Sequence, residues 1–164
     1  MAKSYRHHLY IPSRNQRLNP ELYAQVNQVG FFTVCAYRQQ SPLVNPSLNN
    51  AIIEMLCSER ERLGCWVHVY SLMPDHFHLL LSPKEDGRSM LTFVNQFKGK
   101  STRVSWSHGW QGKLWQPRSY DHLVRREESL IEIAEYILYN VVRAGLVEKP
   151  EDYPWCGYLD PLPW

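Results

Sequence analysis

Two apolar runs, Trp66 to Met73 and His76 to Ser82, are separated by only Pro74 and Asp75. Each has the length and content of a strand. The connection is a turn or a sharp strand junction. Around this pair the punctuation is regular. Gly30 to Tyr37 (GFFTVCAY) is a first strand, and Pro46 to Leu63 has helical spacing at Leu48, Ile52, Met55/Leu56 and Leu63 before stopping at Gly64. Met90 to Val104 is a second helix with a seam at Met90, Val94, Phe97, Ser101 and Val104. Ser107 to Pro117 is a loop bearing Trp110 and Trp115, Tyr120 to Val124 a short strand, and Ser129 to Arg143 a third helix. The order β-α-β-β-α-β matches the split β-α-β, or ferredoxin-like, plan. The expected class is therefore α+β, an antiparallel sheet with helices packed on one face and the third helix near the sheet.

The 164 residues suffice for one domain with its own core. A basic arm over 1–29 precedes the body at 30–147, and a Pro- and Trp-rich strap over 148–164 packs irregularly on it. No apolar run approaches the roughly 20 residues of a membrane span, and the polar start MAKSYRHH lacks an apolar signal core. Cys35, Cys57, Cys65 and Cys156 form no CxxC pair and read as thiols of a reducing compartment, so the cytoplasm is expected.

Net charge is only +2, but it is unevenly spread: residues 88–126 hold eight basic groups against Asp121, and residues 127–164 hold eight acids against two bases. Lys3, Arg6, Arg14 and Arg17 add to the basic side. Such a block is either a phosphate footprint or a solvated face balanced on folding. Lys98, Lys100, Arg103, Arg118 and Arg125 are its candidate backbone contacts, with Trp110 and Trp115 as stacking surfaces or core caps.

On a strand, His76 and His78 share a face while Phe77 takes the other. Two adjacent imidazoles form a bidentate metal grip or, more plainly, two half-exposed histidines. A hydrolase built on them would need a third ligand, for which His122 is the candidate. On the third helix Leu130, Ala134, Ile137 and Val141 stack into one stripe at about 100° per residue. Tyr136 lies roughly 140° from its centre, one turn from Asn140 on the same face. Tyr139 also leaves the stripe but cannot pair with Asn140 at that spacing.

These segments together resemble the single-tyrosine HUH transposases, and closely their REP-associated branch. Met73-Pro-Asp-His-Phe-His78 resembles the family's MPxHxH pattern, and Phe31 to Val34 its opening strand. Phe97 to Thr102 resembles its basic helix, Leu114 to His122 its WQxxxYDH segment, and Tyr136 to Val147 its YIxxNPVxAGLV helix, with Val141 where the family often has proline. The resemblance implies a catalytic core over 30–147 acting as a metal-dependent single-stranded DNA endonuclease and strand transferase. It implies Tyr136 as the nucleophile and His76, His78 and Asn140 as ligands of Mg²⁺ or Mn²⁺. DNA contacts would come from Lys98, Lys100, Arg103, Arg118, His122 and Arg125. The implied partner is single-stranded DNA with hairpins, bound by a monomer or homodimer at the bacterial nucleoid. The alternative within the family is a domesticated, catalytically inactive hairpin-binding protein.

Overall fold

The computed structural model describes residues 17–164; Lys3, Arg6 and Arg14 of the basic arm lie outside the described residues. The chain runs through β1 (Gly30–Cys35), α1 (Pro46–Leu63), β2 (Cys65–Leu72), β3 (His76–Pro83), α2 (Met90–Trp106), β4 (Tyr120–Leu123), α3 (Leu130–Arg143) and β5 (Cys156–Tyr158). The strands form one sheet in the order β4-β1-β3-β2-β5, and every neighbouring pair is antiparallel. Its first four strands have the ferredoxin-like order expected from the sequence.

Helix limits follow local chemistry. Asn45 accepts from the Ser47 N–H at 3.0 Å and Pro46 occupies the first turn of α1, while Gly64 ends it in the left-handed region at φ 67°. Ser89 caps α2 and Ser129 caps α3 through the N–H groups of Thr92 and Glu132. Because Val141 keeps an N–H, α3 continues to Arg143, and the Ala144 N–H closes on the Asn140 carbonyl at 2.9 Å. Gly30 opens β1 where a Cβ would meet the Phe32 ring at 2.5 Å.

The sheet is covered on both faces. Phe32, Val34, Phe77, Leu79 and Leu81 pack against Ile52 and Leu56 of α1 and Phe93 and Phe97 of α2. Phe31, Val69 and Leu80 pack on the opposite face against Leu130, Ile133, Ala134 and Ile137 of α3. The first two helices thus share a face as expected, and the third takes the other. Each fully buried Phe or Leu contributes about 1.5–3 kcal/mol. Among the described residues, no helix is long and apolar enough to cross a membrane.

The strap is more regular than its sequence suggests. β5 lacks alternation and contains Gly157, but it pairs Tyr158, Gly157 and Cys156 with Val69, Tyr70 and Ser71. Beyond it, buried Asp160 accepts from Arg60 Nε at 2.6 Å and the Val67 N–H at 2.8 Å. Buried His68 joins the Pro161 carbonyl at 2.6 Å and Ser82 Oγ at 2.7 Å.

Burial pushes the Asp160 carboxyl upward, but Arg60, the Val67 N–H and His68 together hold it below the ordinary carboxylate range. A carboxyl held low in the folded state gives stability that is present above its unfolded pKa and is lost as pH falls through the folded one. Asp160→Ala is expected to cost about 3 kcal/mol at neutral pH. The gap to the unaltered protein should narrow as pH drops below about 4. Urea unfolding followed by tryptophan fluorescence across pH measures both.

Candidate active site

β3 places its histidines by alternation. Phe77 and Leu79 fill the α1/α2 layer, so His76 and His78 face α3. Register sets Thr33 across from His78 and Cys35 across from His76. Each ring is held by its Nδ1: Thr33 Oγ1 shares a hydrogen bond with His78 Nδ1 at 2.8 Å, and His76 Nδ1 donates to Asp75 Oδ1 at 2.7 Å. The two rings lie with centroids 4.6 Å apart. Nε2 is the remaining nitrogen of each, an arrangement in which a second partner orients a metal-binding imidazole. Burial, then the neighbouring His76 and Arg143, hold the His78 imidazole well below its ordinary pKa. His78 is accordingly neutral at pH 7, the state a ligand requires.

α3 crosses this pair with its Tyr136–Asn140 flank. Asn140 Nδ2 donates to His76 Nε2 at 2.9 Å, joining helix and strand across 64 positions of sequence. Turning the amide over would present its oxygen instead, and the two orientations are assigned from hydrogen bonding. The Tyr136 ring lies 6.4 Å from the His78 ring and meets the edge of Phe31 at 6.3 Å, centroid to centroid. Ile133, which the sequence stripe omitted, is buried on the Tyr136 side and widens the apolar face toward it. Tyr136 is therefore half-buried at the margin of the core rather than turned away from it.

Arg143 belongs to the same site. Its guanidinium carbon sits 4.4 Å from the Tyr136 ring centroid, and its Nη2 donates to the Tyr136 carbonyl at 2.6 Å. In the sequence Arg143 marks only the end of the third helix and carries no assigned role. The seven-residue spacing, two turns along one face, is the signal that could have found it.

The other tyrosines lie elsewhere. Tyr120 is exposed on edge strand β4, across Thr33 from His78. Two strand spacings separate them, about 10 Å. Tyr139 is exposed on the outer side of α3. His122 pairs across from Phe31 and gives Nε2 to both Glu128 oxygens at 2.9 Å. Among the described residues, no group of three or more His, Cys, Asp or Glu is arranged to hold a metal. That disfavours a hydrolase built on His76, His78 and His122, and it leaves the Asn140 amide as the third donor available to the histidine pair.

The basic candidates are dispersed. Lys98 is half-buried and donates to the Pro117 carbonyl at 2.9 Å, whereas Lys100 is paired with buried Glu59. Arg103 and Arg118 are exposed. Arg125 is paired with Glu127 and Glu128. Asp121 of the YDH segment accepts from Tyr23 and Arg17, clamping β4 to the chain before β1. Trp115 is core: it is 4% exposed and donates to Ser101 Oγ at 2.7 Å, so it offers bases no stacking surface.

Known proteins share this fold and family. A REP-associated tyrosine transposase of Escherichia coli K12 is 24% identical over 144 residues, covering 82% of each chain. A Haemophilus influenzae protein provisionally described as a REP-associated tyrosine transposase is 29% identical over 97 residues, and the match spans only 53% of this chain and 55% of that relative. A solved REP-associated tyrosine transposase bound to a REP hairpin superimposes with a TM-score of 0.70 at 21% identity, over 88% of this chain and 81% of that one. The family described as "Transposase IS200 like" matches residues 25–140, a span that includes His76, His78 and Tyr136 and ends on Asn140. The chain belongs to the IS200-like transposase family, and its similarity to known members is to REP-associated tyrosine transposases.

Proposed function

We propose that the chain is a metal-dependent endonuclease and strand transferase acting on single-stranded DNA beside hairpins, with Tyr136 as the nucleophile. The observation that carries this reading is the juxtaposition of the Tyr136–Asn140 flank of α3 with His76 and His78, the Asn140 amide touching His76 at 2.9 Å. The hairpin substrate is argued from the similar transposase solved with a REP hairpin.

The donor set fits Mg²⁺ or Mn²⁺: two imidazoles each oriented through Nδ1, and an amide oxygen on turning Asn140 over, a set that leaves positions for phosphate oxygens. Such an ion supplies Lewis-acid stabilisation of charge on the scissile phosphate. The remaining work falls to the protein. The Tyr136 oxygen attacks phosphorus, losing its proton, and the bond to the 3′ oxygen breaks; the products are a 5′-phosphotyrosine and a 3′-hydroxyl. A phenol, with an ordinary pKa near 10, is a better nucleophile and leaving group here than an aliphatic alcohol. Arg143, with its guanidinium over the Tyr136 ring, stands where it can offset the charge of the phosphate that the tyrosine takes on. Attack by a second 3′-hydroxyl on the phosphotyrosine reverses the step and rejoins strands. Arg103 and Arg118, exposed and without acid partners among the described residues, are the foremost of the basic candidates for phosphate contacts.

Tyr136→Phe is expected to abolish the covalent protein–DNA adduct on denaturing gels while hairpin affinity stays within a few-fold. Tyr120→Phe and Tyr139→Phe should still form the adduct; peptide mapping that found a nucleotide on either would overturn the assignment. A mobility shift without any adduct would instead identify the inactive, hairpin-binding alternative.

His76→Ala and His78→Ala should each lower cleavage by about two orders of magnitude or more, with hairpin binding preserved, because affinity comes from distributed backbone contacts. Chelation of divalent ions should have the same effect, and Mg²⁺ or Mn²⁺ should restore cleavage only when both histidines are present. Undiminished cleavage by a folded double variant would remove the metal from the mechanism.

A further inference from the structure

The segment leaving β1 carries cations and strain that the site above does not use. Its backbone is pinned on both sides. Gln116 N–H donates to the Cys35 carbonyl at 2.9 Å, Ala36 N–H to the Asp75 carbonyl at 2.8 Å, and Tyr37 N–H to the Leu114 carbonyl at 2.9 Å. Arg38 and Gln39 then adopt left-handed backbone in succession, at φ 54° and φ 56°. Side chains with a Cβ rarely adopt this conformation even singly, and such strain collects at ligand sites. Among the described residues, Arg38 and Gln39 are the two non-glycine positions with positive φ.

The strain displays a defined group of side chains. The Arg38 guanidinium carbon lies 5.2 Å from the Tyr37 ring centroid, and Lys113 Nζ lies 5.3 Å from it. Neither cation has a carboxylate partner among the described residues, whereas Arg60, Arg62, Lys84 and Lys100 are each paired with one. Position ties the group to the active site. Cys35 is registered across from His76, and Ala36 is extended at φ −63° and ψ 149°. Tyr37 thus lies two residues beyond the position opposite His76, just past the Ala36 N–H that is bonded to the Asp75 carbonyl beside that histidine. Exposed cations around an aromatic ring suit a single strand of nucleic acid, whose phosphates take the charge and whose bases stack.

We propose that Tyr37, Arg38 and Lys113 form a single-strand DNA subsite that holds the stretch joining the hairpin to the scissile phosphate. This rests on the reading of the chain as a DNA strand transferase. Arg38 and Lys113 contact phosphates, Tyr37 offers a stacking face, and the left-handed turn at Arg38 and Gln39 presents the guanidinium beyond the sheet end.

The test is fluorescence anisotropy with one hairpin in two forms, with and without a single-stranded tail, across a salt series. The variants are Arg38→Gly and Lys113→Ala, alone and combined. With the unaltered protein the tail should tighten binding; the double variant should lose that gain, roughly 5- to 10-fold, and its salt slope on tailed DNA should fall by about 1.4, two contacts at about 0.7 each. Binding of the tail-free hairpin should not change. Glycine takes the left-handed conformation freely, so Arg38→Gly should raise the melting temperature while weakening tailed DNA. A purely structural arginine would not give that opposition. A double variant that keeps both the tail-dependent gain and the slope overturns the subsite. If the tail gives the unaltered protein no gain, the subsite falls and the hairpin reading stands. If neither DNA binds, the function proposed above falls and the subsite with it.

Discussion

The architecture depends on the register of β3 against β1. Strand side chains repeat every two residues, so a slip by one would carry His76 and His78 into the α1/α2 core and turn Phe77, Leu79 and Leu81 toward α3. Burying Phe77, Leu79 and Leu81 with Phe32 and Val34 opposes that slip with several side chains' worth of transfer free energy. The same alternation lines up Thr33 with His78, where the hydroxyl steadies the ring. One choice of register thus determines the core of one face and the functional surface of the other.

The second face is assembled differently. α3 is held over the sheet by Phe31, Val69 and Leu80, and its C-terminal half is held by a separate cluster in which Val141 packs with Met73 and Tyr153. Tyr153 also donates its hydroxyl to the Leu72 carbonyl at 2.6 Å, next to the turn that begins β3. The strap therefore braces the end of α3 against the strand junction from which His76 emerges. β5 fastens the strap to β2, and the Arg60–Asp160 pair fastens it to α1. This explains why an irregular terminal stretch is tied down by buried polar contacts: the spacing between Asn140 and His76 depends on both elements it touches.

Legibility in the sequence followed the range of each interaction. α1 was read to its limits, because Asn45, Pro46 and Gly64 act within a turn of the residues they bound. The helix bearing Tyr136 and its i, i+4 partner Asn140 were likewise legible from spacing. β5 was not, since three residues become a strand through pairing with β2 rather than by their own pattern. The fate of individual charges was equally hidden. Lys100 and Arg125 belong to the basic block, and His122 to the DNA contacts that the resemblance implies, yet each meets a carboxylate, Glu59 or Glu128, that folding brings to it. Trp115, in a glycine-containing loop, became core because Ser101 of α2 gives its indole a partner.

By itself the sequence determined the order of the elements before β5, the antiparallel plan, and the fact that His76 with His78, and Tyr136 with Asn140, would each share a surface. These follow from periodicities of two and 3.6 residues that are set by covalent geometry and chirality. Only the tertiary structure decided that these two surfaces face one another. It also settled that Ile133 draws Tyr136 to the edge of the core, that Arg143 covers its ring, and which cations have no acid partner among the described residues. Those outcomes turn on which face of the sheet α3 takes and on contacts between residues many positions apart. Local propensity does not encode such distances, whereas packing of both sheet faces does.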